Sequence, residues 1–429
     1  MRTGVSGPRS RRSAVLSGTA REIHRLSSTV AGLVPEMIVA SLNRLPGADV
    51  MLMAPRTAQV LIDVQHPDRH HHTRVDRIGL RVVGEAMIDE LALSIMKGNQ
   101  VMEARQQIED ANEDAEQVAA LVDGGWIDAD PDVFHPSPPP PQRVRNLGTV
   151  GFRGVTARHV SFPSRYEVPA LVPGARTWQM YKENRSIHCY VLEHDPDAPW
   201  LVNIHGFGQG QPRDFFTFRS ASLRDRFGIN VVHPVLPLHG PRHAAGYPQM
   251  PGVDFAVNVF GLSQAVWDLR RVVQWIRARS DAPVIVHGVS LGGYTTALLA
   301  GLDDEIDAAI AGIPVVDFPS ILRGHAKRMA LPADDLNMLA SPTIDRFHDL
   351  VSPLRTTPKV PAERRFIYAG KLDQISSPDQ AMALWNHWGS PAIHWYDGGH
   401  VGGAVWDGGV KAFVDNAIAS SLVSTRAAA

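Results

Sequence analysis

The chain has 429 residues, of which 44% are hydrophobic and 20% are charged, as is usual for a soluble globular protein. The formal net charge of -2 lacks the basic excess typical of nucleic-acid binders, so we expect no nucleic-acid partner. Cys189 is the only cysteine, which excludes an intramolecular disulfide and a cysteine zinc site and favours a reducing, cytoplasmic location.

We expect neither a secretory signal nor a membrane-spanning segment in the N-terminal residues. Residues 1–18 are rich in arginine, lack acids and lack an apolar core, which favours a disordered basic arm over the alternative, a targeting peptide. The longest apolar run, 29–42, is interrupted by Pro35 and Glu36 and is too short to cross a membrane. Residues 29–53 nevertheless indicate an amphipathic surface, so we expect a cytoplasmic protein whose membrane contact, if it has any, is peripheral.

Residues 1–134 form a predicted helical N-terminal region. A first helix is predicted over 74–99 and a second, more acidic one over 101–122. The apolar face of the first helix is predicted from five residues at helical spacing: Ile78, Val82, Met87, Leu91 and Ile95. The side chains of three consecutive histidines, 70–72, do not point to one site, so we predict that they are exposed to solvent and do not bind a metal. We also expect no cofactor.

The pattern changes after residues 135–142, HPSPPPPQ, which predict a stiff polyproline II linker. Half-exposed edge strands are predicted over 157–168 and 186–195. Buried strands alternating with helices follow, which indicates a parallel α/β sheet with helices on both faces. The predicted strands are 199–206, 229–236, 283–290, 306–316, 364–370 and 392–396, and the predicted helices are 213–228, 261–280 and 292–302. We therefore predict one α/β domain over 143–429, with a helical cap over about 318–361.

Ser290 is the candidate nucleophile. It lies in the pattern G-x-S-x-G, at the carboxyl end of a predicted strand and the start of a predicted helix. Gly288 and Gly292 permit a sharp turn that exposes the hydroxyl group, and Gly293 allows the helix to pack close to the sheet. The backbone N–H of Leu291 then points toward a developing oxyanion.

A serine nucleophile needs a base, and the base needs an acid. His400 follows the last predicted strand among glycines, and Asp373 follows the strand before it. The order serine, aspartate, histidine is that of α/β-hydrolases. Asp317 remains an alternative acid, whereas Asp397 is expected on a turn. His239 and His325 are near a predicted pocket but not where the base is expected.

The loop HGFGQGQP, 205–212, is predicted to supply the second oxyanion donor, from the backbone N–H of Phe207. We expect His205 to brace this loop, and His205 and Gly206 are also candidates for the pocket. The alternating glycines resemble a phosphate loop, but no acidic ribose residue and no GK[ST] sequence accompany them.

The segment 234–248 is rich in proline, glycine and histidine. His239, Arg242 and His243 either line the substrate pocket or recognise an anionic part of the substrate. Arg242 has an equally supported alternative role, a structural ion pair beneath the loop.

Residues 199–403 resemble the α/β-hydrolase superfamily. The combination of HGFGQGQPRD, PVLPLHGPR, GVSLGGY, VSPL, AGKLDQ and GGH is most similar to the α/β-hydrolase domain-containing protein 18 family. The resemblance implies an α/β-hydrolase fold and a serine hydrolase with Ser290, Asp373 and His400 as its triad. The predicted activity is cleavage of small-molecule or lipid carboxylic esters; a prolyl-oligopeptidase-type peptidase and a non-catalytic scaffold are the alternatives.

Overall fold

The computed structural model describes most of the chain. The described residues are 48–66, 73–100, 115–125, 134–168, 172–252, 254–326, 337, 341–403 and 407–422. The predicted basic arm and the three consecutive histidines lie outside these residues. Residues 115–123 are helical, and the rest of the second predicted helix, 101–114, also lies outside them.

One nine-stranded sheet organises the described part of the chain. Its spatial order is β1-β2-β3-β5-β4-β6-β7-β8-β9. Neighbours from β1 to β5 pair antiparallel, and neighbours from β5 to β9 pair parallel. The strands are β1 (Arg145–Phe152), β2 (Val155–Pro163), β3 (Ser186–Leu192), β4 (Trp200–Ile204), β5 (Asn230–Pro234), β6 (Val284–Val289), β7 (Ala308–Gly312), β8 (Arg365–Gly370) and β9 (Ala392–Tyr396).

Helices cover both faces of the parallel part of the sheet, which gives the predicted α/β-hydrolase fold. Strands β4 and β5 are buried throughout, because side chains on both of their faces pack against helices. The helices are α1 (Ala48–Asp63), α2 (Leu80–Gln100), α3 (Ala175–Met180), α4 (Asp214–Thr217), α5 (Ser220–Phe227), α6 (Phe255–Arg277), α7 (Leu291–Leu302), α8 (Phe318–Ala326), α9 (Pro342–Asp349), α10 (Pro378–His387) and α11 (Gly408–Ser421). Short 3-10 turns occupy Lys182–Arg185, Gly240–Arg242, Pro353–Arg355 and Ala362–Arg364.

The five predicted buried strands correspond to β4 to β8, the predicted strand 392–396 is β9, and the two predicted edge strands are β2 and β3. The edge assignment is wrong for both of these, because β2 lies between β1 and β3, and β3 lies between β2 and β5 and is largely buried. The edges of the sheet are β9 and β1, and β1 was not predicted because its sequence, RNLGTVGF, has few apolar residues and its side chains are mostly exposed.

The Pro-rich segment lies along α6 rather than standing free. Side chains of α6 donate to its backbone carbonyls: Arg271 to Pro139 at 2.5 Å and Gln274 to Pro138 at 2.9 Å. Polyproline II backbone has no internal hydrogen bonds, so its carbonyls are available to such donors. The predicted boundary between two domains at this segment stays a prediction.

Helix α2 confirms a helix in the predicted place, but its predicted apolar face is wrong at three of five residues. Met87, Leu91 and Ile95 are 42%, 52% and 58% exposed, whereas Val82 is buried and Ile78 packs against a small apolar core. The buried face also carries Ala86 and Leu93 together with three acids, Glu85, Asp89 and Glu90. Within the described residues, no helix has the length and apolar character needed to cross a membrane.

Candidate active site

Ser290 forms the turn between β6 and α7. Its backbone has φ 59° and ψ -115°, a conformation that is rare for a residue with a side chain and is stabilised here by close packing. A Cβ on Gly292 would overlap the carbonyl oxygen of Ile204, and a Cβ on Gly288 would overlap the carbonyl of Gly292. The glycines on both sides of the serine therefore have the steric role predicted for them.

Three predicted residues lie in one hydrogen-bonded series at the carboxyl ends of the strands. The Oγ of Ser290 is 2.9 Å from Nε2 of His400, and Nδ1 of His400 is 2.7 Å from Oδ2 of Asp373. Asp373 holds its place through its other oxygen, which accepts from the backbone N–H groups of Ile375 at 3.0 Å and Ser376 at 2.7 Å. A neutral imidazole that donates from Nδ1 to Asp373 presents Nε2 as an acceptor to the serine hydroxyl.

The charge balance around His400 favours its protonated form. Burial by itself lowers the pKa of His400, but the charge and hydrogen bond of Asp373 and the charge of Asp89 outweigh burial and raise the pKa above 6.5. The site can therefore stabilise an imidazolium, which is the species a base becomes after it takes a proton from serine.

An apolar cavity opens at Ser290. Phe207 and Leu291, whose N–H groups were the predicted oxyanion donors, lie in its wall beside Ser290. The backbone N–H of Gly206 donates to Oε1 of Gln209 at 2.7 Å, which fixes the loop that carries Phe207. The remaining lining residues are Leu93, Met96, Pro251, Gly252, Val315, Phe318, Ile321, Leu322, His325 and Ile375.

The four predicted substrate-binding residues are not among those that line this cavity. His205 is buried and braces the loop as predicted: its Nδ1 is 2.9 Å from the Gly206 carbonyl oxygen, and its Nε2 accepts from the N–H of Leu236 at 3.0 Å. Burial lowers the pKa of His205 to about 4 and that of His239 to about 3, so both are neutral at physiological pH. His239 is 2.8 Å, through Nδ1, from the Pro237 carbonyl oxygen.

Arg242 occupies the structural alternative. It is fully buried and forms an ion pair with Asp268 at 2.7 Å. The same guanidinium donates to the backbone carbonyls of Val235 at 2.8 Å and Asn184 at 2.9 Å. Its donors therefore point into the protein beneath the loop and not into the cavity.

The rival acids lie elsewhere. The carboxylate of Asp317 accepts from the N–H of Ser320 at 2.9 Å at the start of α8. Asp397 forms an ion pair with Lys371 at 2.8 Å. His325 lines the cavity and is 3.3 Å, through Nε2, from the carbonyl oxygen of Ile375. Among the described residues, no cluster of three or more histidine, cysteine or acidic side chains has the arrangement of a metal site.

Sequence reasoning missed the contribution of α2 to this site. Leu93 and Met96 form part of the cavity wall, and the carboxylate of Asp89 accepts from the N–H of His400 at 2.7 Å. The apolar periodicity of α2 gave no sign of this, because it selected Leu91 and Ile95 rather than Leu93 and Met96 and does not count an acid such as Asp89. The glycines around His400 were the available signal, since they permit another element to approach closely.

Comparison with known proteins finds two curated relatives of this chain. No family model matches it. The uncharacterized proteins MT2702 and Rv2627c, from two strains of Mycobacterium tuberculosis, are each 36% identical to it over 349 and 348 residues, which is 79% of this chain and 81% of each relative.

Solved structures with a similar fold are more distant. An acetyl xylan esterase from Paenibacillus sp. R4 is 17% identical, with a TM-score of 0.47 over 67% of this chain and 92% of its own. A Mycobacterium tuberculosis puromycin-hydrolyzing peptidase is 18% identical, with a TM-score of 0.40 over 66% of this chain and 39% of its own. Likeness at this level gives no information on reaction or substrate. From the two closely matching sequences, however, the chain belongs to the same family as the Mycobacterium tuberculosis proteins MT2702 and Rv2627c.

Proposed function

We propose that this protein is a serine hydrolase that cleaves carboxylic esters with an apolar acyl group, lipid esters included. The observation that carries the proposal is the hydrogen-bonded series from Asp373 through His400 to Ser290, which ends at the wall of an apolar cavity. A base within hydrogen-bond reach of a serine hydroxyl, itself oriented by a buried acid, is the arrangement that nucleophilic acyl transfer needs.

The proposed reaction proceeds through an acyl-enzyme. Nε2 of His400 takes the proton of Ser290 as Oγ attacks the ester carbonyl carbon, and the carbonyl oxygen becomes an oxyanion. The N–H groups of Leu291 and Phe207 stabilise that oxyanion. The imidazolium, paired with Asp373, returns the proton to the departing alcohol. Water then attacks the acyl-serine by the same steps in reverse and releases the acid. The proposal requires no metal and no cofactor.

The walls of the cavity support an apolar acyl group rather than a charged one. The wall includes Phe318, Ile321 and Leu322 of α8 together with Leu93 and Met96 of α2. Each buried methylene contributes about 0.8 kcal/mol of binding, so kcat/KM rises about fourfold per methylene until the cavity is filled. The resemblance of the sequence motifs to the α/β-hydrolase domain-containing protein 18 family also supports a serine hydrolase.

A fluorophosphonate probe tests whether Ser290 is a nucleophile. We expect the wild type to be labelled and Ser290→Ala to remain unlabelled, with ester turnover reduced by about 10⁴-fold or more. Ser376→Ala is a matched control, since that serine donates to the Pro314 carbonyl oxygen at 2.7 Å and is not a nucleophile in the proposal. A folded wild type that is never labelled would be a scaffold and not an enzyme.

Substrate assays with the wild-type protein then distinguish an esterase from a peptidase. We expect turnover of p-nitrophenyl esters that increases with acyl length and no turnover of prolyl peptide substrates. Turnover of the peptides alone would favour the prolyl-oligopeptidase-type alternative.

A further inference from the structure

Asp89 of α2 holds the backbone of both loops that carry the proposed base and acid. Its Oδ2 accepts from the N–H of His400 at 2.7 Å and of Gln374 at 3.2 Å, and its Oδ1 accepts from the N–H of Val401 at 3.1 Å. Gln374 directly follows Asp373 in the chain. A single carboxylate, from a residue more than 280 positions earlier in the sequence, therefore joins the acid loop to the base loop.

The surrounding contacts are built for this approach. A Cβ on Gly399 would lie 2.7 Å from the carboxylate carbon of Asp89, and a Cβ on Gly402 would lie 3.0 Å from that of Glu85. The side-chain amide of Gln374 also donates to the carbonyl of Ala86 at 3.0 Å. Helix α2 is thus in direct contact with both loops, at positions where any side chain on the glycines would separate them.

A small apolar core packs next to Asp89 on the same face of the helix. Val82 and Ala86 of α2 pack with Leu61 and Val64 near α1 and with Leu372, the residue before Asp373. Burial of a carboxylate is costly unless hydrogen bonds compensate it, and Asp89 is fully buried. The three backbone donors supply that compensation, so the helix and the loops stabilise one another.

We propose that Asp89 is a positioning residue that fixes His400 and Asp373 relative to Ser290, which makes α2 a structural part of the active site. This inference rests on the proposed function for its catalytic meaning. A displacement of about 1 Å at a reacting group can cost a hundredfold in rate, so losing the three bonds should lower kcat without removing any reacting group.

The charge of Asp89 gives a second, separable effect. The titratable groups around it are Asp373 and His400 from the two loops, Tyr396 at the end of β9, and Glu85 one turn away on its own helix. Burial, with the charge of Asp373, raises the pKa of Asp89 to about 6, and the charge of His400 and the backbone donors oppose that rise. In return the Asp89 charge helps to raise the pKa of His400.

The test compares Asp89→Asn with Glu90→Gln in the full chain. Glu90 is an equally buried acid of the same helix, and its partner is Arg56 of α1 at 3.9 Å. We expect Asp89→Asn to lower kcat for a p-nitrophenyl ester 10- to 100-fold with little change in KM, and to move the acidic limb of kcat/KM to lower pH. Glu90→Gln should change neither. A folded Asp89→Asn variant with wild-type kcat and an unmoved limb would overturn the inference.

Asp89→Glu keeps the charge but lengthens the side chain by one methylene. It should lower kcat while leaving the acidic limb at its wild-type pH, and it provides the test if the asparagine variant does not fold. A glutamate variant with wild-type kcat would contradict a positioning role.

A measurement without substrate distinguishes failure of this inference from failure of the proposed function. Asparagine keeps one acceptor oxygen and replaces the other with a donor, so amide hydrogen exchange should accelerate at least tenfold at residue 401 or at residues 374 and 400 in Asp89→Asn. Exchange at all three should stay unchanged in Glu90→Gln. If the wild type is neither labelled nor active but this acceleration occurs, the proposed function fails and the Asp89 contacts stand. If exchange at these amides is unchanged in Asp89→Asn, the positioning role fails whatever the activity.

Discussion

The turn that carries Ser290 and the loop that carries His400 are built in different ways. The serine turn depends on its own sequence: β6 leads into it, α7 leads out of it, and Gly288 and Gly292 lie within two residues of the serine. The histidine loop depends on a distant partner. Its backbone N–H groups at 400 and 401 are satisfied by Asp89, more than 300 residues earlier.

This difference explains why the serine turn could be predicted from the sequence, whereas the histidine loop could be predicted only in part. A local turn leaves a short motif, because steric requirements fall on adjacent positions. A loop that is held by another element leaves only small residues in its sequence, here Gly399 and Gly402. These glycines allow Asp89 and Glu85 of α2 to approach closely. The two halves should therefore respond differently to substitution.

The largest expected effect concerns Asp373, the acid that pairs with His400. Asp373→Asn should lower kcat by about 10⁴-fold, because an amide no longer holds the tautomer of His400 or stabilises its imidazolium. Asp317→Asn is the matched control, since asparagine caps a helix about as well as aspartate and Asp317 is bonded to Ser320 at the start of α8. Ester turnover of the two purified variants decides the assignment. A large loss in Asp317→Asn with none in Asp373→Asn would move the acid to 317.

Alanine at two glycines separates the halves by stability. In Gly292→Ala the new Cβ meets the backbone carbonyls of Ile204 and His205, which cannot move apart without disturbing β4. We expect a loss of about 3 kcal/mol in the free energy of unfolding. In Gly399→Ala the obstacle is the Asp89 side chain, which can shift, so we expect about 1 kcal/mol but a tenfold or greater fall in kcat.

Gly84→Ala on α2 is the control, because a Cβ there has no atom within 4 Å and alanine favours a helix. Urea unfolding and kcat are the measurements. Equal stability losses for Gly292→Ala and Gly399→Ala would contradict the distinction between a turn fixed by its own sequence and a loop held by a distant helix.

Much of the fold follows from apolar patterns. Strands β4 to β8 were predicted because a strand buried on both faces is a short apolar run, and α7 because it follows the serine turn. Strand β1 was not, since its edge position leaves its side chains in solvent and its sequence without a pattern. Helix α2 was predicted, but its buried acids were not, because their partners come from elsewhere in the chain: backbone N–H groups for Asp89 and the guanidinium of Arg56 for Glu90.

The site divides along the same line. Ser290, Asp373 and His400 were named from their places after strands, and the structure brings them within hydrogen-bond distance. The pocket residues predicted from the loop after β5 were not found at the cavity. A histidine or arginine after a strand can line a pocket or be buried in the structure beneath it. The sequence does not distinguish the two, because neither the buried ion pair of Arg242 with Asp268 nor the cavity wall from α2 and α8 produces a local motif.

The smallest expected effect is a displacement along the pH axis. Since the pKa of His400 is raised above 6.5, its imidazole is protonated below that pKa and cannot accept the proton of Ser290. The kcat/KM for ester hydrolysis should therefore rise with pH through a limb above pH 6.5. Leu322→Ala, which enlarges the apolar wall of the cavity, should change KM and leave the limb in place, because it removes no charge near His400.

A limb below pH 6.5 would mean that burial outweighs the acids around His400 and that the loop is not held as the structure has it. In the proposed mechanism, no side chain of the serine turn titrates within the pH profile of kcat/KM. A displaced limb in any variant can then be traced to the histidine loop or to α2, whereas a uniform loss at every pH points to the serine turn.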